Sequence, residues 1–432
     1  MSLDTTPLWW ESSLPVPLAD AGLPERVDVA VIGGGFAGLT AALELARAGT
    51  RVALIEKHWP GYGACSRNLG LVVERVDGTT TGELDTELHG VPRHELIAEG
   101  QRAYDFVLDL IEREQIECGL RDRGKLVLAT TKSAYDTMAA YLERHQKAFG
   151  PYDAYMIPAT EFQKEIGGEA STHYFGAKVL PGRHDLNPGQ LTAGLVNALT
   201  ETEATILPNT ECLSIERLQD NRFRLTTSKG ETLADQIIVS TQGYSGVASG
   251  ALRRQIFPFL AHVVATEPLG ADLMAELLPT LRSAVDTRQM FYNFRPCDRE
   301  KRLLLASNYL RTSSDRVQAK RILKTYQRLF PQLKGIEAEY CWHGNLALSA
   351  DSLPHIGADH GMHYCATGSF SMALYLGSKM AQKILGLDDA KSVLDSIPLR
   401  NFPLYNGRPG LLYILLRAVF GALDLARVAA PK

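Results

Sequence analysis

The chain has 432 residues, of which 45% are hydrophobic, and this length is sufficient for two packed domains. Its 45 basic and 49 acidic residues leave a formal net charge of -4, without the long basic run that suits a phosphate backbone. This composition predicts a globular protein and argues against nucleic acid as a partner.

The N-terminal segment, up to about Arg26, is rich in proline and aromatic residues and lacks the basic start and apolar core of a secretory signal. We therefore expect an extended arm that lies over the body of a cytoplasmic protein. The six cysteines are scattered, with neither a CxxC pair nor a His/Cys cluster at metal-ligand spacing. Reduced thiols and no bound metal are the corresponding expectations.

A βαβ unit begins at Val27. VDVAVIG is typical of a buried strand, GGFAG of a tight turn, LTAALELARAG of a helix and TRVALIE of a second strand. The turn carries Gly33, Gly35 and Gly38 of a GxGxxG motif, in which the helix N-terminus can bind a pyrophosphate. Glu56 ends the second strand, where an acid binds the ribose hydroxyls of an adenosine. The unit predicts dinucleotide binding, and its residues alone leave NAD and FAD open.

The remaining patterns predict two interleaved domains of α/β and α+β class. Residues 1–73, 187–256 and 341–400 fit a Rossmann-type nucleotide-binding domain. Residues 74–186 and 257–340 fit a substrate domain built on an antiparallel sheet with helices. The chain would then cross between the two domains more than once.

A C-terminal amphipathic tail is predicted for residues 401–432. Its segment GLLYILLRAVFGALDLARV has helical periodicity, but Arg417 interrupts the apolar run before it reaches the length of a membrane span. Docking on the rest of the protein is the favoured interpretation, and peripheral contact with a membrane is the alternative.

Between Val27 and Val73 the sequence DVAVIGGGFAGLTAALELARAGTRVALIEKHWPGYGACSRNLG resembles the N-terminal signature of the D-amino-acid oxidase superfamily of flavoenzymes. Two later segments, ATEPL at 265–269 and WxGxxAxxxDxLPxIG at 342–357, are similar to its gamma-glutamylputrescine oxidoreductase-like branch. The resemblance covers nearly the whole chain. It implies noncovalent FAD, oxidation of the C–N bond of an amine or amino acid to an imine with hydride transfer to flavin N5, and oxygen or quinone as electron acceptor.

The resemblance also implies which residues contact FAD. They lie in the glycine-rich turn, after the second strand, in a later adenine-binding strand, and in GSFSMAL, which keeps the spacing of the branch's GYSGHGV. The predicted contacts are Gly33, Gly35, Phe36, Ala37, Gly38, Glu56, Lys57, Gly63, Ala64, Cys65, Ser66, Arg67, Asn68, Leu69, Cys212, Thr241, Gly344, Gly368, Ser369, Ser371, Met372 and Ala373.

Five side chains are candidates for the substrate site: Arg67, His262, Tyr292, Arg295 and His343. The guanidinium of Arg295 would suit a substrate carboxylate, and Arg67 belongs to a loop that passes close to the flavin in the family. The two histidines could tune the substrate amine, and Tyr292 could form a wall of the pocket. Each also has a structural interpretation, as an ion-pairing, hydrogen-bonded or core side chain.

Several oxidases of the superfamily hold a lysine over the flavin, where its charge stabilises the superoxide that forms from oxygen. The nearest position here is Leu304 in RLLLASNY, with Lys301 before the strand, so we expect slow reaction with oxygen. Two other functions stay open: an NAD-linked or other flavin oxidoreductase, and a non-enzymatic flavoprotein. The missing CxxC pair argues against a flavin disulfide reductase.

Overall fold

The computed structural model describes residues 3–74, 86–288, 290–297, 299, 301–307, 314–408 and 410–428. Within these residues the chain forms strands and α-helices in the following order. The strands are β1 (Arg26–Ile32), β2 (Val52–Ile55), β3 (Glu87–Leu88), β4 (Val91–Pro92), β5 (Arg121–Asp122), β6 (Lys125–Leu128), β7 (Tyr155–Pro158), β8 (Gly176–Leu180), β9 (His184–Asp185), β10 (Thr205–Leu207), β11 (Cys212–Arg217), β12 (Phe223–Thr227), β13 (Gly230–Val239), β14 (Phe257–Thr266), β15 (Ser283–Asp286), β16 (Tyr292–Cys297), β17 (Arg302–Ser307), β18 (Ala338–Leu348), β19 (His355–Asp359) and β20 (Met362–Ala366). The helices are α1 (Phe36–Arg47), α2 (Arg93–Arg113), α3 (Lys132–Phe149), α4 (Ala170–His173), α5 (Pro188–Thr200), α6 (Leu252–Gln255), α7 (Ala271–Leu277), α8 (Asp315–Leu329), α9 (Phe370–Leu385) and α10 (Gly410–Val428).

The first sheet contains the predicted βαβ unit. Its strand order is β10-β2-β1-β13-β12-β11, with β20 pairing with β13 and β19 pairing with β20. The pairs β10/β2, β2/β1, β1/β13 and β13/β20 are parallel. Helices α1, α2, α5 and α9 share one apolar core with the strand residues of this sheet, such as Val31 and Leu54. Because both faces of β1 are covered, its apolar residues run on without alternation. The predicted Rossmann-type layer is confirmed.

The second sheet is antiparallel except for one pair. Its strand order is β18-β14-β17-β16-β15-β6-β8-β7, and only β15/β6 is parallel. The helix α8 packs on one face, where Leu303 and Leu305 contact Tyr326, and we call this the α8 face. The opposite face carries Leu304 and Ala306, which pack with Trp9, and we call it the loop face. Since neighbouring residues of a strand point to opposite faces, each strand contributes to both.

The predicted domain boundary at residue 341 falls inside β18. Residues 341–348 continue the pairing of β18 with β14 across this boundary. Similarly, α2 lies in the predicted substrate segment but packs in the core shared by α1 and α9. The assignment of whole segments to two domains remains a prediction.

The described parts of the N-terminal arm and of the C-terminal tail pack on the rest of the protein. In the N-terminal arm, Leu8 and Trp9 are buried on the loop face, and Asp4 pairs with Tyr340 beside β18. The expectation of an arm that lies over the protein is therefore confirmed.

The C-terminal helix α10 docks through one side, as the favoured interpretation of the tail predicts. Leu412 and Phe420 belong to the apolar cluster around Phe257. Its other side exposes Ile414 and Val419 to solvent. Among the residues with a described structure, no helix combines the length and the apolar character that crossing a bilayer requires.

The helices α1 and α9 approach each other closely. A methyl group on Gly377 of α9 would lie 2.4 Å from the carbonyl oxygen of Ala37 in α1. The first residues of the two helices also touch, since the rings of Phe36 and Phe370 lie 4.9 Å apart between centroids. Gly377 thus lets the N-termini of both helices meet at the same edge of the first sheet.

We expect Gly377→Ala to lower the free energy of unfolding by about 1–2 kcal/mol, because overpacking between the helices outweighs the gain in helix propensity. Gly421→Ala in α10 is the matched control, since the nearest atom to its added methyl group would be Cε of Met290, 3.9 Å away. Denaturant unfolding of both variants measures the effect. Equal stability of Gly377→Ala and the wild type would contradict the close approach.

Candidate flavin site

The turn between β1 and α1 depends on two of its glycines. Gly33 has a φ of +106°, and a methyl group on Gly38 would lie 1.9 Å from the Gly33 carbonyl oxygen. The hydroxyl of Ser240 donates to the carbonyl oxygens of Ile32 and Gly33 at 3.0 and 2.9 Å. The turn therefore brings the first turn of α1 directly to the end of β1.

The N-terminus of α1 is suited to an anion. Gly35 precedes the helix, and within the described part of the chain no side chain caps it and no acid lies in its first turn. The partial positive charge of the helix end is therefore available to a phosphate group. Phe36, Ala37 and Gly38 form this first turn, and their contact with a cofactor stays a prediction.

Glu56 lies beside this turn. Its carboxylate accepts the backbone N–H groups of Gly34 at 2.7 Å and of His58 at 3.0 Å. These bonds fix the acid at the end of β2, where it can accept the hydroxyls of a ribose. The neighbouring Lys57 instead directs its ammonium to Glu211 at the surface, at 2.9 Å.

Cys212 and Thr241 belong to strands β11 and β13 of the same sheet or directly follow them. Cys212 begins β11, and burial raises the pKa of its thiol to about 11, so the thiol stays protonated at neutral pH. The hydroxyl of Thr241, just after β13, is bonded to Ser245 and Ser249 at 2.9 and 3.1 Å. The backbone groups of both residues can bind a nucleotide, whereas their side chains form hydrogen bonds within the protein.

Residues 61–70, which we call the 61–70 loop, contain the predicted contacts Gly63 to Leu69. The Asn68 amide donates to the carbonyl oxygen of Cys65 at 2.6 Å, and its oxygen accepts the N–H of Gly70 at 2.7 Å. Gly70 has a φ of +70°, and a methyl group there would lie 2.1 Å from the Leu186 carbonyl oxygen. Burial raises the pKa of the Cys65 thiol to about 12, so this thiol is a poor nucleophile for a covalent bond to flavin.

Three tryptophan side chains hold this loop. Their indole N–H groups donate to consecutive residues of it: Trp10 to the Ser66 hydroxyl at 2.8 Å, Trp342 to the Arg67 carbonyl at 2.8 Å, and Trp9 to the Asn68 carbonyl at 2.9 Å. The sequence prediction did not include these tryptophans. The WW pair in the arm and the tryptophan of the WxG segment were the available signal.

Arg67 lies where the loop meets β18. Its guanidinium carbon is 4.4 Å from the ring centroid of Trp10 and 4.6 Å from that of Tyr62. It donates to the carbonyl oxygens of Tyr62 at 2.8 Å and of His343 at 3.1 Å. Gly344 is adjacent, since a methyl group on it would lie 3.3 Å from the Arg67 Cβ.

Tyr244 completes this junction and was also missed. Its hydroxyl accepts the N–H of Asn345 at 3.2 Å, and its ring lies 3.4 Å from the position of a methyl group on Gly63. A tyrosine in QGYSG, directly after a strand of the nucleotide-binding sheet, gave only a weak sequence signal.

The segment of Gly368 to Ala373 leads into α9. The Thr367 hydroxyl accepts the N–H of Ser369 at 3.0 Å, and the Ser371 hydroxyl accepts the N–H of Val73 at 3.2 Å. The side chain of Met372 is buried in the core beneath the helix. Backbone groups at the start of α9 are thus the part of this segment that can reach a cofactor.

His262, His343 and Tyr292 point away from this junction. His262 and His343 both contact Asp315 of α8, and the ring of Tyr292 packs 5.7 Å from that of Tyr326 in α8. These side chains lie on the α8 face, because each is an even number of residues from a strand neighbour that packs against α8. Their placement does not support the predicted role beside the substrate.

Arg295 requires a correction as a carboxylate anchor. It is buried, and its guanidinium lies 2.6 Å from Asp185, donates to the Leu186 carbonyl at 3.1 Å and packs over Trp9. The carboxylate of Asp185 already neutralises it. Only the alternative interpretation, a structural ion pair, agrees with this geometry.

The chain offers what FAD needs. A helix N-terminus without a side-chain cap follows a tight glycine turn, an acid lies beside the turn, and the 61–70 loop and the start of α9 lie against it. A methyl group on Gly38 would close the turn, so the fit depends on the glycine itself. The donor set matches a pyrophosphate, a ribose and a ring with hydrogen-bonding edges.

Glu56→Ala should weaken FAD binding at least about tenfold, since each charge-assisted hydrogen bond to a ribose hydroxyl contributes on the order of 1.5–3 kcal/mol before losses. The fold should persist. Fluorescence titration of the apoprotein with FAD gives the dissociation constant, and Glu216→Ala, which removes an exposed acid from β11, is the control. An unchanged constant in Glu56→Ala would refute the ribose assignment.

Comparison with known proteins agrees with this site. The chain is 26% identical to the gamma-glutamylputrescine oxidoreductase of Escherichia coli strain K12 over 409 residues, which cover 92% of this chain and 91% of that protein. Its fold is similar to the crystal structures of glycine oxidase from Geobacillus kaustophilus (TM-score 0.71, 19% identity) and L-proline dehydrogenase from P. horikoshii (TM-score 0.68, 19% identity). The alignments cover 88% and 87% of this chain, and 100% and 98% of those structures.

A family model described as FAD dependent oxidoreductase matches residues 28–383, which include the glycine turn, Glu56, the 61–70 loop and most of α9. The matched span also contains both large sheets almost entirely. The chain therefore belongs to the DAO family of FAD-dependent oxidoreductases.

Proposed function

We propose that this enzyme oxidises the C–N bond of an amine that also carries a carboxylate, giving an imine that water hydrolyses. The observation that carries the proposal is the position of Arg67 at the junction of the 61–70 loop, Gly344 and the apolar loop face. When bound, FAD supplies the acceptor for a hydride at its N5. The gamma-glutamylputrescine oxidoreductase and glycine oxidase relatives, which are named for amine and amino-acid substrates, agree with this choice.

Arg67 would bind the substrate carboxylate. Two of its nitrogen atoms already donate to carbonyl oxygens, which fix the guanidinium plane, and its remaining N–H groups can form charge-assisted hydrogen bonds. The rings of Trp10 and Tyr62 limit the rotation of the Arg67 side chain. Little conformational entropy of this side chain is then lost when a substrate binds.

The loop face would keep the substrate nitrogen neutral. This face carries the apolar side chains Val263, Ala265, Leu304, Ala306 and Trp342, and Asp185 neutralises the neighbouring Arg295. An ammonium group loses solvation in such surroundings, which lowers its pKa. A neutral amine has the lone pair that assists departure of the hydride from the adjacent carbon, so this environment favours the reaction.

Amines with a carboxylate should bleach the yellow holoenzyme in the absence of oxygen. The panel is glycine, L-proline, further L- and D-amino acids, gamma-glutamylputrescine, and putrescine as the amine without a carboxylate. We expect the Arg67→Lys variant to require at least about tenfold higher concentrations of the carboxylated substrates for the same bleaching, because lysine lacks the planar fork of donors. Its response to putrescine should not change.

Bleaching by NADH and by none of these amines would favour the alternative oxidoreductase class. An FAD that no amine and no NADH reduces would favour the non-enzymatic flavoprotein. Either result would reject the proposed function.

We also propose that the reduced enzyme reacts slowly with oxygen. Leu304 is fully buried on the loop face, opposite Ala265 on β14 and Arg295 on β16. Arg295 is the neighbouring cation, but Asp185 neutralises it. Lys301 lies at an exposed turn before β17. A charge that would stabilise superoxide in a dry site is therefore not provided at this position.

Leu304→Lys should increase the rate of reoxidation by oxygen, up to about a hundredfold, which corresponds to roughly 3 kcal/mol of stabilisation. Stopped-flow mixing of the reduced enzyme with aerated buffer measures this rate, and Leu304→Met is the apolar control. The flavin content and spectrum of both variants report correct folding. Rapid wild-type reoxidation with stoichiometric peroxide would contradict the proposal.

Slow reaction with oxygen requires another electron acceptor, and the exposed side of α10 indicates where the enzyme would meet it. Its outer side exposes Leu415, Val419 and Leu423, which recur every four residues and form one stripe along the helix, and Ile414 is exposed beside this stripe. We propose that this stripe contacts a membrane surface, where the enzyme can reduce a quinone. The inner side of the helix keeps its contacts with the protein in this arrangement.

Val419→Glu should abolish co-sedimentation of the holoenzyme with phosphatidylcholine vesicles that contain ubiquinone. Leu404→Glu is the matched control, because Leu404 is an exposed leucine outside α10. The wild type and Leu404→Glu should both bind. A wild type that stays in the supernatant would reject the membrane contact while leaving the amine oxidation untouched.

A further inference from the structure

Two histidines and one aspartate meet on the α8 face of the second sheet. His262 of β14 and His343 of β18 are directly opposite in the strand register. Asp315, the first residue of α8, places Oδ1 at 2.9 Å from Nδ1 of His343 and 3.5 Å from Nε2 of His262. One donor atom from each residue lies within 4.8 Å of the other two.

These distances suit a divalent transition metal. Zinc binds imidazole nitrogen and carboxylate oxygen at about 2.0–2.2 Å, so neighbouring ligands of a tetrahedron are about 3.4 Å apart. The distance between Asp315 and His262 already has this value. The shorter distance to His343 can widen by rotation of that side chain, which is 48% exposed. Two imidazoles and one carboxylate are a preferred set for zinc, nickel and iron(II).

The three residues differ in how far their side chains are exposed to solvent. His262 is 1% exposed, so its position is fixed by the core, while the exposure of His343 leaves a path for an ion from solvent. Nδ1 of His262 has no hydrogen-bond partner in the described part of the chain. Its imidazole is therefore engaged only towards Asp315, where the ion would lie.

A second group of the same composition lacks this arrangement. His89 and His355 contact different oxygens of Asp351, at 3.4 and 2.9 Å. Both ring nitrogens of His355 are in use, because Nδ1 lies 3.2 Å from the Ile397 carbonyl oxygen. This group serves as an internal comparison, since both ring nitrogens of its buried histidine, His355, are already hydrogen-bonded.

We propose that His262, Asp315 and His343 bind one divalent transition-metal ion of the zinc class, with solvent in the open position. The three residues are far apart in the sequence, so the absence of a metal-ligand spacing does not bear on this site. The carbonyl oxygen of His343 accepts a hydrogen bond from Arg67. The ion would therefore fix β14, β18 and α8 directly behind the residue proposed to bind substrate.

The test uses the holoenzyme after dialysis against a chelator. Equilibrium dialysis with Zn²⁺, followed by elemental analysis, should give one ion per chain, and Mg²⁺ should not compete because it prefers oxygen ligands. His343→Ala should lower the affinity for Zn²⁺ at least about tenfold, while His89→Ala should leave it unchanged. Zn²⁺ should raise the melting temperature of the wild type and of His89→Ala only.

Absence of bound Zn²⁺ in the wild type would overturn the proposal. Equal affinity of His343→Ala and the wild type would also overturn it, since the ion would then lie elsewhere. His343 is half-exposed and its backbone hydrogen bond to Arg67 survives the substitution, so the variant should fold. Its flavin spectrum verifies this.

Discussion

The contact on which the candidate site depends is the set of three indole N–H bonds to the 61–70 loop. Trp10, Trp342 and Trp9 donate to Ser66, Arg67 and Asn68 in turn. A buried hydrogen-bond acceptor left without a donor would cost about 1–3 kcal/mol, so these three donors stabilise the shape of the loop. The bonds also join three separate parts of the chain: the N-terminal arm, the loop and β18.

Because the second sheet is pleated, the proposed substrate site and the proposed metal site lie on its opposite faces. Trp342 and His343 are neighbours, so the first packs on the loop face and the second on the α8 face. Arg67 reaches only the backbone of residue 343. The proposed substrate site and the proposed metal site would thereby be separated by one sheet and connected through residue 343.

The local features of the fold could be predicted from the sequence. The glycine turn, the acid at the end of β2 and the antiparallel strands each follow from short-range patterns that agree with one another. The boundary predicted at residue 341 lies inside β18, which pairs with β14 on both sides of it, and the division into domains stays a prediction. The sequence does not determine how β18 aligns with β14, and a shift of this alignment by one residue moves each side chain to the opposite face of the sheet. The orientation of His262 and His343 could not be foreseen for that reason. The partner of Arg295 is Asp185, 110 residues away, and only the fold brings them together.

The account rests on the claim that the indole-bound loop holds the flavin, and Trp10→Phe tests it most directly. Phenylalanine keeps a ring beside Arg67 but removes the donor to Ser66, a loss of about 1 kcal/mol. The dissociation constant for FAD should therefore rise about fivefold with the fold unchanged. Trp59→Phe is the control, because Trp59 makes ring contacts with Trp10 and Tyr62 and should leave the constant unaltered. Equal FAD affinity in Trp10→Phe, Trp59→Phe and the wild type would contradict the claim.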